Sequence, residues 1–147
     1  AGKNLENIVS GERVTQTFTA SSAFDCILVQ GYLKNGEVSD GGCQVEIQDE
    51  TGKTLVSTFL TAQQIAENQL DLSFEPVVPE KETVYTIVIE PRGIRKDHAL
   101  QLYRFNSSMD LHPNGKLSRN GKEENGNLIF SVYQIKTGMI FRRNFGK

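Results

Sequence analysis

Apolar and polar residues alternate with a period of two along most of this chain, in short runs. Val14-Thr15-Gln16-Thr17-Phe18-Thr19 is the first such run, rich in Thr and β-branched residues, and predicts a strand. Phe24–Leu33 is longer and almost continuously apolar, the pattern of a strand buried on both faces. Cys43–Gln48 alternates strictly, which places Cys43, Val45 and Ile47 inward and Gln44, Glu46 and Gln48 outward. Asp49-Glu50-Thr51-Gly52-Lys53 is a turn, and the chain returns through Leu55–Leu60 to complete a hairpin.

Thr61–Asn68 predicts one short polar helical turn. Leu70, Leu72 and Phe74 then alternate with Asp71, Ser73 and Glu75 until Pro76, and Val84–Glu90 forms a strand ended by Pro91-Arg92-Gly93. Leu100–Asn106 sets Leu100, Leu102 and Arg104 on one face and Gln101, Tyr103 and Phe105 on the other. Lys116–Ser118 and Leu128–Ile135 complete the set. Asn-Gly pairs stand at 35–36, 114–115, 120–121 and 125–126; both residue types tolerate positive φ, which two-residue hairpin turns require.

These elements predict an all-β fold: a two-sheet antiparallel β-sandwich of jelly-roll type with eight to nine strands and almost no helix. An immunoglobulin-like sandwich is the runner-up, but its Cys-Trp-Cys pattern is missing because the chain has no Trp. The boundaries suggest one sandwich domain over 1–135 and a basic tail or connector over 136–147. If Phe24–Leu33 and Cys43–Gln48 pair directly, Cys43 falls opposite a residue near Lys34. Cys26 is then out of bridging range, which predicts two separate, partly buried thiols.

At 147 residues the chain can bury a core without metal or disulfide support. No apolar run reaches the roughly 20 residues that span a bilayer. Ala1-Gly2-Lys3-Asn4 has neither Met nor an apolar signal core, as in an excised domain or processed product. Charge is unevenly spread. Residues 1–90 hold five Lys and Arg against fourteen Asp and Glu, and residues 91–147 hold eleven against four. A basic patch around Arg92, Arg95, Lys96 and Arg104, or the acid-free tail with Lys136, Arg142, Arg143 and Lys147, could meet an anionic polymer or lipid surface. Nucleic acid is not an expected partner, because no reading helix or nucleic-acid motif accompanies those charges.

Catalytic patterns are missing from the sequence, and the chain is read as a non-enzyme. His98 and His112, the two histidines, stand outside any zinc-ligand spacing, and there is no nucleophile elbow or phosphate-cradling loop. No cofactor is expected beyond a structural calcium ion, for which the loop residues Asp40, Asp97 and Asp110 are the candidates. Asn106-Ser107-Ser108 matches a glycosylation sequon. Glycan binding on a sandwich uses aromatic faces flanked by amides and charges. The candidate ligand-binding residues are Tyr32, Gln101, Tyr103, Arg104, Phe105 and Tyr133, with Gln30 and Asn106 beside them. Phe18, Phe59, Phe74 and Phe130 are assigned to the core.

The run "QTFTA" (Gln16–Ala20), the strand "ILVQGYL", the hairpin Val45–Leu55, "LDLSFEPV" (Leu70–Val77), "VYTIVIE" (Val84–Glu90) and Gly115–Tyr133 together resemble one domain type. It is the jelly-roll, carbohydrate-binding-like accessory domain of bacterial membrane proteins in surface-polysaccharide assembly, including some glycosyltransferases. The resemblance implies a non-catalytic module in the bacterial cell envelope, extracytoplasmic and beside membrane segments of its parent protein. Its expected partner is a glycan or anionic surface polymer. The alternative is a structural or protein-interaction sandwich without sugar affinity.

Overall fold

The computed structural model describes residues 4–36, 40–65, 68–105 and 115–135. Thirteen strand segments lie among them: β1 Leu5–Ile8, β2 Val14–Ala20, β3 Phe24–Leu33, β4 Gly42–Gln48, β5 Thr54–Thr61, β6 Gln69–Val77, β7 Thr83–Arg92, β8 Leu100–Leu102, β9 Arg104–Phe105, β10 Leu117–Arg119, β11 Lys122–Glu124, β12 Asn127–Leu128 and β13 Phe130–Tyr133. Those with four residues or more are eight, matching the expected count; the remainder are two- and three-residue pieces.

Every strand pair among the described residues is antiparallel. The back sheet runs β11-β10-β2-β7-β4-β5, and the front sheet is built around β3 with β1, β8, β13 and β6. The chain changes sheet at each step from β1 to β4 and again from β5 to β8, so the fold is an all-β sandwich of jelly-roll type. One edge of β3 carries β6, and the other carries β13 and then β8 end to end. Where those two segments meet, Gln30 N–H donates to the Ile129 carbonyl and Gln30 O accepts from Tyr103 N–H. Beyond that junction β9 and β12 leave the sheet as a two-stranded ladder, so the expected strand Leu128–Ile135 is divided at Ile129.

The core follows the alternation. Ile27, Val29, Leu70, Leu72, Leu100 and Leu102 from the front sheet meet Val14, Val45, Ile47, Ile87 and Ile89 from the back sheet. An aromatic cluster closes one end, where Phe18, Phe24, Phe74, Tyr85 and Phe130 lie with ring centroids 5.2 to 6.1 Å apart. A single helical turn, α1 Ala62–Ile65, buries Ala62 and Ile65. It starts with a capping box: Thr61 N–H donates to Gln64 Oε1 and Gln64 N–H to Thr61 Oγ1.

Several local expectations change. β3 and β4 lie in different sheets and do not pair, so the Asn35–Gly36 turn ends a strand without making a hairpin. Cys26 and Cys43 are both buried free thiols. Among the described pairs Asn120–Gly121 does close a hairpin, β10–β11, with φ of +54° and +81°. Pro76 and Pro91 fall inside β6 and β7 and end neither. β1 escapes the period-two reading because its centre, Glu6-Asn7, is polar and Asn7 takes φ +58° at a register shift. Phe59 is 42% exposed: on β5 the inward phase belongs to Val56, Thr58 and Leu60, and the Phe59 ring lies over Gly42 instead.

Candidate functional site

Inward Ile27, Val29 and Leu33 leave Leu28, Gln30 and Tyr32 on the outer face of β3. Register brings Gln69 opposite Gln30, Asp71 and Ser131 opposite Leu28, and Gln101 opposite Tyr32. Tyr103 follows inward Leu102 and turns outward beside Tyr32. Their rings lie 5.7 Å apart at 40°, both half-buried, as a tilted pair on the front sheet. Gln30, exposed, is bonded through its backbone to Tyr103, so its side chain borders the same patch.

The other candidate residues are distributed elsewhere. Gln101 is 5% exposed, and its amide donates to Asn7 Oδ1 at 3.4 Å and the Ala99 carbonyl at 3.3 Å. By register it stands beside Tyr32, with its amide turned to those two acceptors. Arg104 reaches Glu124 at 3.1 Å and the Asn125 carbonyl at 3.3 Å, with its side chain 13% exposed. Phe105, half-buried, pairs with Asn127 in the β9–β12 ladder. Asn106, the sequon, Asp110, His112 and the basic tail lie outside the described residues.

Tyr133 shares the front sheet but not the patch. It pairs with Cys26, six residues from Tyr32 along β3, which is about 20 Å. It lines a cleft of about 530 Å³ beneath the β2–β3 turn with Phe18, Ser21, Ser22 and Phe24. Partial burial, then the negative charges of Asp71, Cys26 and Asp25, pushes its phenol above the ordinary value. A second cleft of about 600 Å³ opens at the same end between the β4–β5 turn and the β6–β7 connection, lined by Leu55, Glu75, Val78, Glu80 and Tyr85 among others.

The remaining polar candidates have structural roles. Asp49 accepts from Thr51 Oγ1, Thr51 N–H and Lys53 N–H, chiefly the hydroxyl, which holds its carboxyl below the usual range. Arg92 pairs with Glu90 at 3.2 Å, and Arg92 and Arg104 stand on different sheets, so the expected basic cluster is divided. His98 Nδ1 lies 3.4 Å from the Gly36 carbonyl and its Nε2 3.9 Å from Asp97. Burial raises the thiol of Cys26, which contacts Ser73 Oγ at 3.6 Å, and pushes Cys43 up to about 12. Among the described residues no three His, Cys, Asp or Glu side chains converge as metal ligands. No described helix is long and apolar enough to cross a membrane.

Gln69 and Ser131 were not among the candidates from sequence. Gln69 occupies the outward phase of the Leu70 and Leu72 alternation, which would have flagged it, but its place beside Gln30 depends on a pairing between strands about forty residues apart. The fold and the face define a β-sandwich with an aromatic–amide patch on its front sheet. No protein-family model matches this chain, and no curated protein matches it.

Proposed function

We propose that this domain is a non-catalytic glycan-binding module that takes its ligand on the outer face of the front sheet. The observation that carries the reading is the Tyr32–Tyr103 pair, with ring centroids 5.7 Å apart. Tyrosine rings offer apolar faces to the C–H face of a pyranose, and the amides of Gln30 and Gln69 flank them to bond the hydroxyls. Gln101 and Arg104 are engaged within the fold, through Asn7, Ala99 and Glu124, and are not assigned to the ligand.

The resemblance of Gln16–Tyr133 to envelope accessory domains supports a bacterial surface polysaccharide as the ligand and a parent membrane protein as the setting. A bacterial glycan array with the full chain tests the reading, using Tyr32→Ala and Tyr103→Ala as the site variants. Saturable binding that each variant weakens several-fold, with unchanged far-UV circular dichroism, is the expected outcome. A blank array, or binding indifferent to both substitutions, would favour the protein-interaction reading.

A further inference from the structure

The cleft of about 600 Å³ between the β4–β5 turn and the β6–β7 connection is apolar in its body and acidic at its rim. A register shift between Ile47 and Gln48 leaves Leu55 without a partner on β4, and Leu55 lines the cleft with Val78 and Tyr85. Leu55 is 39% and Val78 69% exposed, so two large apolar side chains stand largely uncovered there. Asp49, Glu50, Glu75 and Glu80 line the same cleft against a single cation, Lys81. Among the described residues neither Glu50 nor Glu80 has an ion-pair partner. An occupant that complements this cleft brings positive charge together with apolar surface.

We propose that this cleft docks the chain's own C-terminal segment, residues 136–147, through Arg142, Arg143 and the apolar residues beside them. Lys136, Arg142, Arg143 and Lys147 give that segment four positive charges and no acid, and Met139, Ile140, Phe141 and Phe145 supply apolar bulk. Position selects it as well. β13 runs toward the cleft's end of the sandwich, where Ile135 N–H donates to Asp25 Oδ1 at 2.8 Å. Next to Asp25, Phe24 pairs with Val77, which lines the cleft. The segment therefore starts two strand spacings, about 10 Å, from the cleft wall. Extended chain from Ile135 to Arg142 covers up to roughly 23 Å, enough to bring both arginines to the rim.

The neighbouring cleft under the β2–β3 turn is lined by Tyr133 and Gln134, nearer the start of the segment. It has no Asp or Glu in its lining, so it offers the arginines no counter-charge. Tethering gives the segment a local concentration in roughly the millimolar range, which a free basic peptide or the segment of a second copy would have to match. Phe24 and Tyr32 stand near opposite ends of β3, so the cleft is remote from the tyrosine patch and its test does not depend on glycan binding.

Paramagnetic relaxation in the full chain decides the matter, with a nitroxide attached at Asn144→Cys and the native thiols buried against the reagent. Broadening of the Leu55, Val78 and Lys81 amides is expected, unchanged on dilution. It should weaken several-fold in about 1 M salt, where the screening length falls to about 3 Å. Arg142→Glu with Arg143→Glu should abolish it, with far-UV circular dichroism unchanged. Adding Glu50→Lys and Glu80→Lys to that variant should bring it back, because rim and segment then exchange signs. Cleft amides that stay sharp, broadening indifferent to the arginines, or a folded fourfold variant without recovery would overturn the proposal. A mixture of spin-labelled chain with unlabelled, nitrogen-15 chain separates the copies: broadening of the nitrogen-15 chain at the cleft would overturn the own-chain occupant in favour of a second copy.

Discussion

Gln16 Nε2 donates a 2.7 Å hydrogen bond to Asn127 Oδ1, joining the back sheet to the β9–β12 ladder across 111 positions of sequence. The same nitrogen reaches the Thr17 carbonyl at 2.9 Å, and Gln16 Oε1 accepts from Leu128 N–H at 2.8 Å. Gln16 is fully buried, so a low-dielectric site holds a glutamine whose amide is bonded at both ends.

Removing that clamp leaves Leu128 N–H buried without its acceptor. Gln16→Leu should cost about 2–3 kcal/mol, read as a fall in Tm of roughly 5–10 °C. Gly115→Ala should be comparably harmful, because a Cβ there would stand 2.7 Å from Asn127 Oδ1 and 2.8 Å from Gln16 Nε2. Gly36→Ala is the control: nothing lies within 4 Å, and only its φ of +83° is strained, at about 1 kcal/mol. Urea unfolding of the three variants should rank them so.

Alkaline pH should destabilise the fold through Cys43. Burial raises its thiol from 9.0 to about 12, so between those values the unfolded chain has released a proton that the folded chain retains. Stability is then constant below pH 9 and falls above it, by about 1.4 kcal/mol per pH unit from this group. The difference in Tm between the parent chain and Cys43→Ala should therefore shrink as pH rises from 9. The native thiol should also resist a disulfide reagent at pH 8.

Arg119 ties β10 to the β1–β2 region by three acceptors. It donates to Glu12 Oε1 at 2.6 Å, the Glu6 carbonyl at 2.7 Å and the Asn7 carbonyl at 3.1 Å. An ammonium cannot reproduce that planar fan, so Arg119→Lys should lose about 1–2 kcal/mol despite conserving charge. Hydrogen exchange should show the loss concentrated in β1 and its turn.

The aromatic candidates should separate in binding assays. Losing one ring of the Tyr32–Tyr103 pair should weaken a bound glycan by about 1–2 kcal/mol, roughly five- to thirty-fold in Kd. Tyr133→Ala, remote from the pair in the end cleft, should leave that affinity unchanged. Gln101→Ala should lower Tm more than affinity, since its amide bonds within the fold.

The long strands β2 to β7, the inward phase of β4 and β6, the β4–β5 hairpin and a helical turn after Thr61 were legible from local pattern, because alternation and turn chemistry act within a few residues. The same alternation marks Tyr32 and Tyr103 as outward residues. Partnership between distant strands was decided by the tertiary structure. It separated β3 from β4, buried the Gln101 amide, moved Tyr133 to the end cleft and left Phe59 largely exposed. The physical reason is that a period of two records which way a side chain faces, whereas its neighbours follow from registers such as Gln30 with Gln69, set by the packing of both sheets around one core.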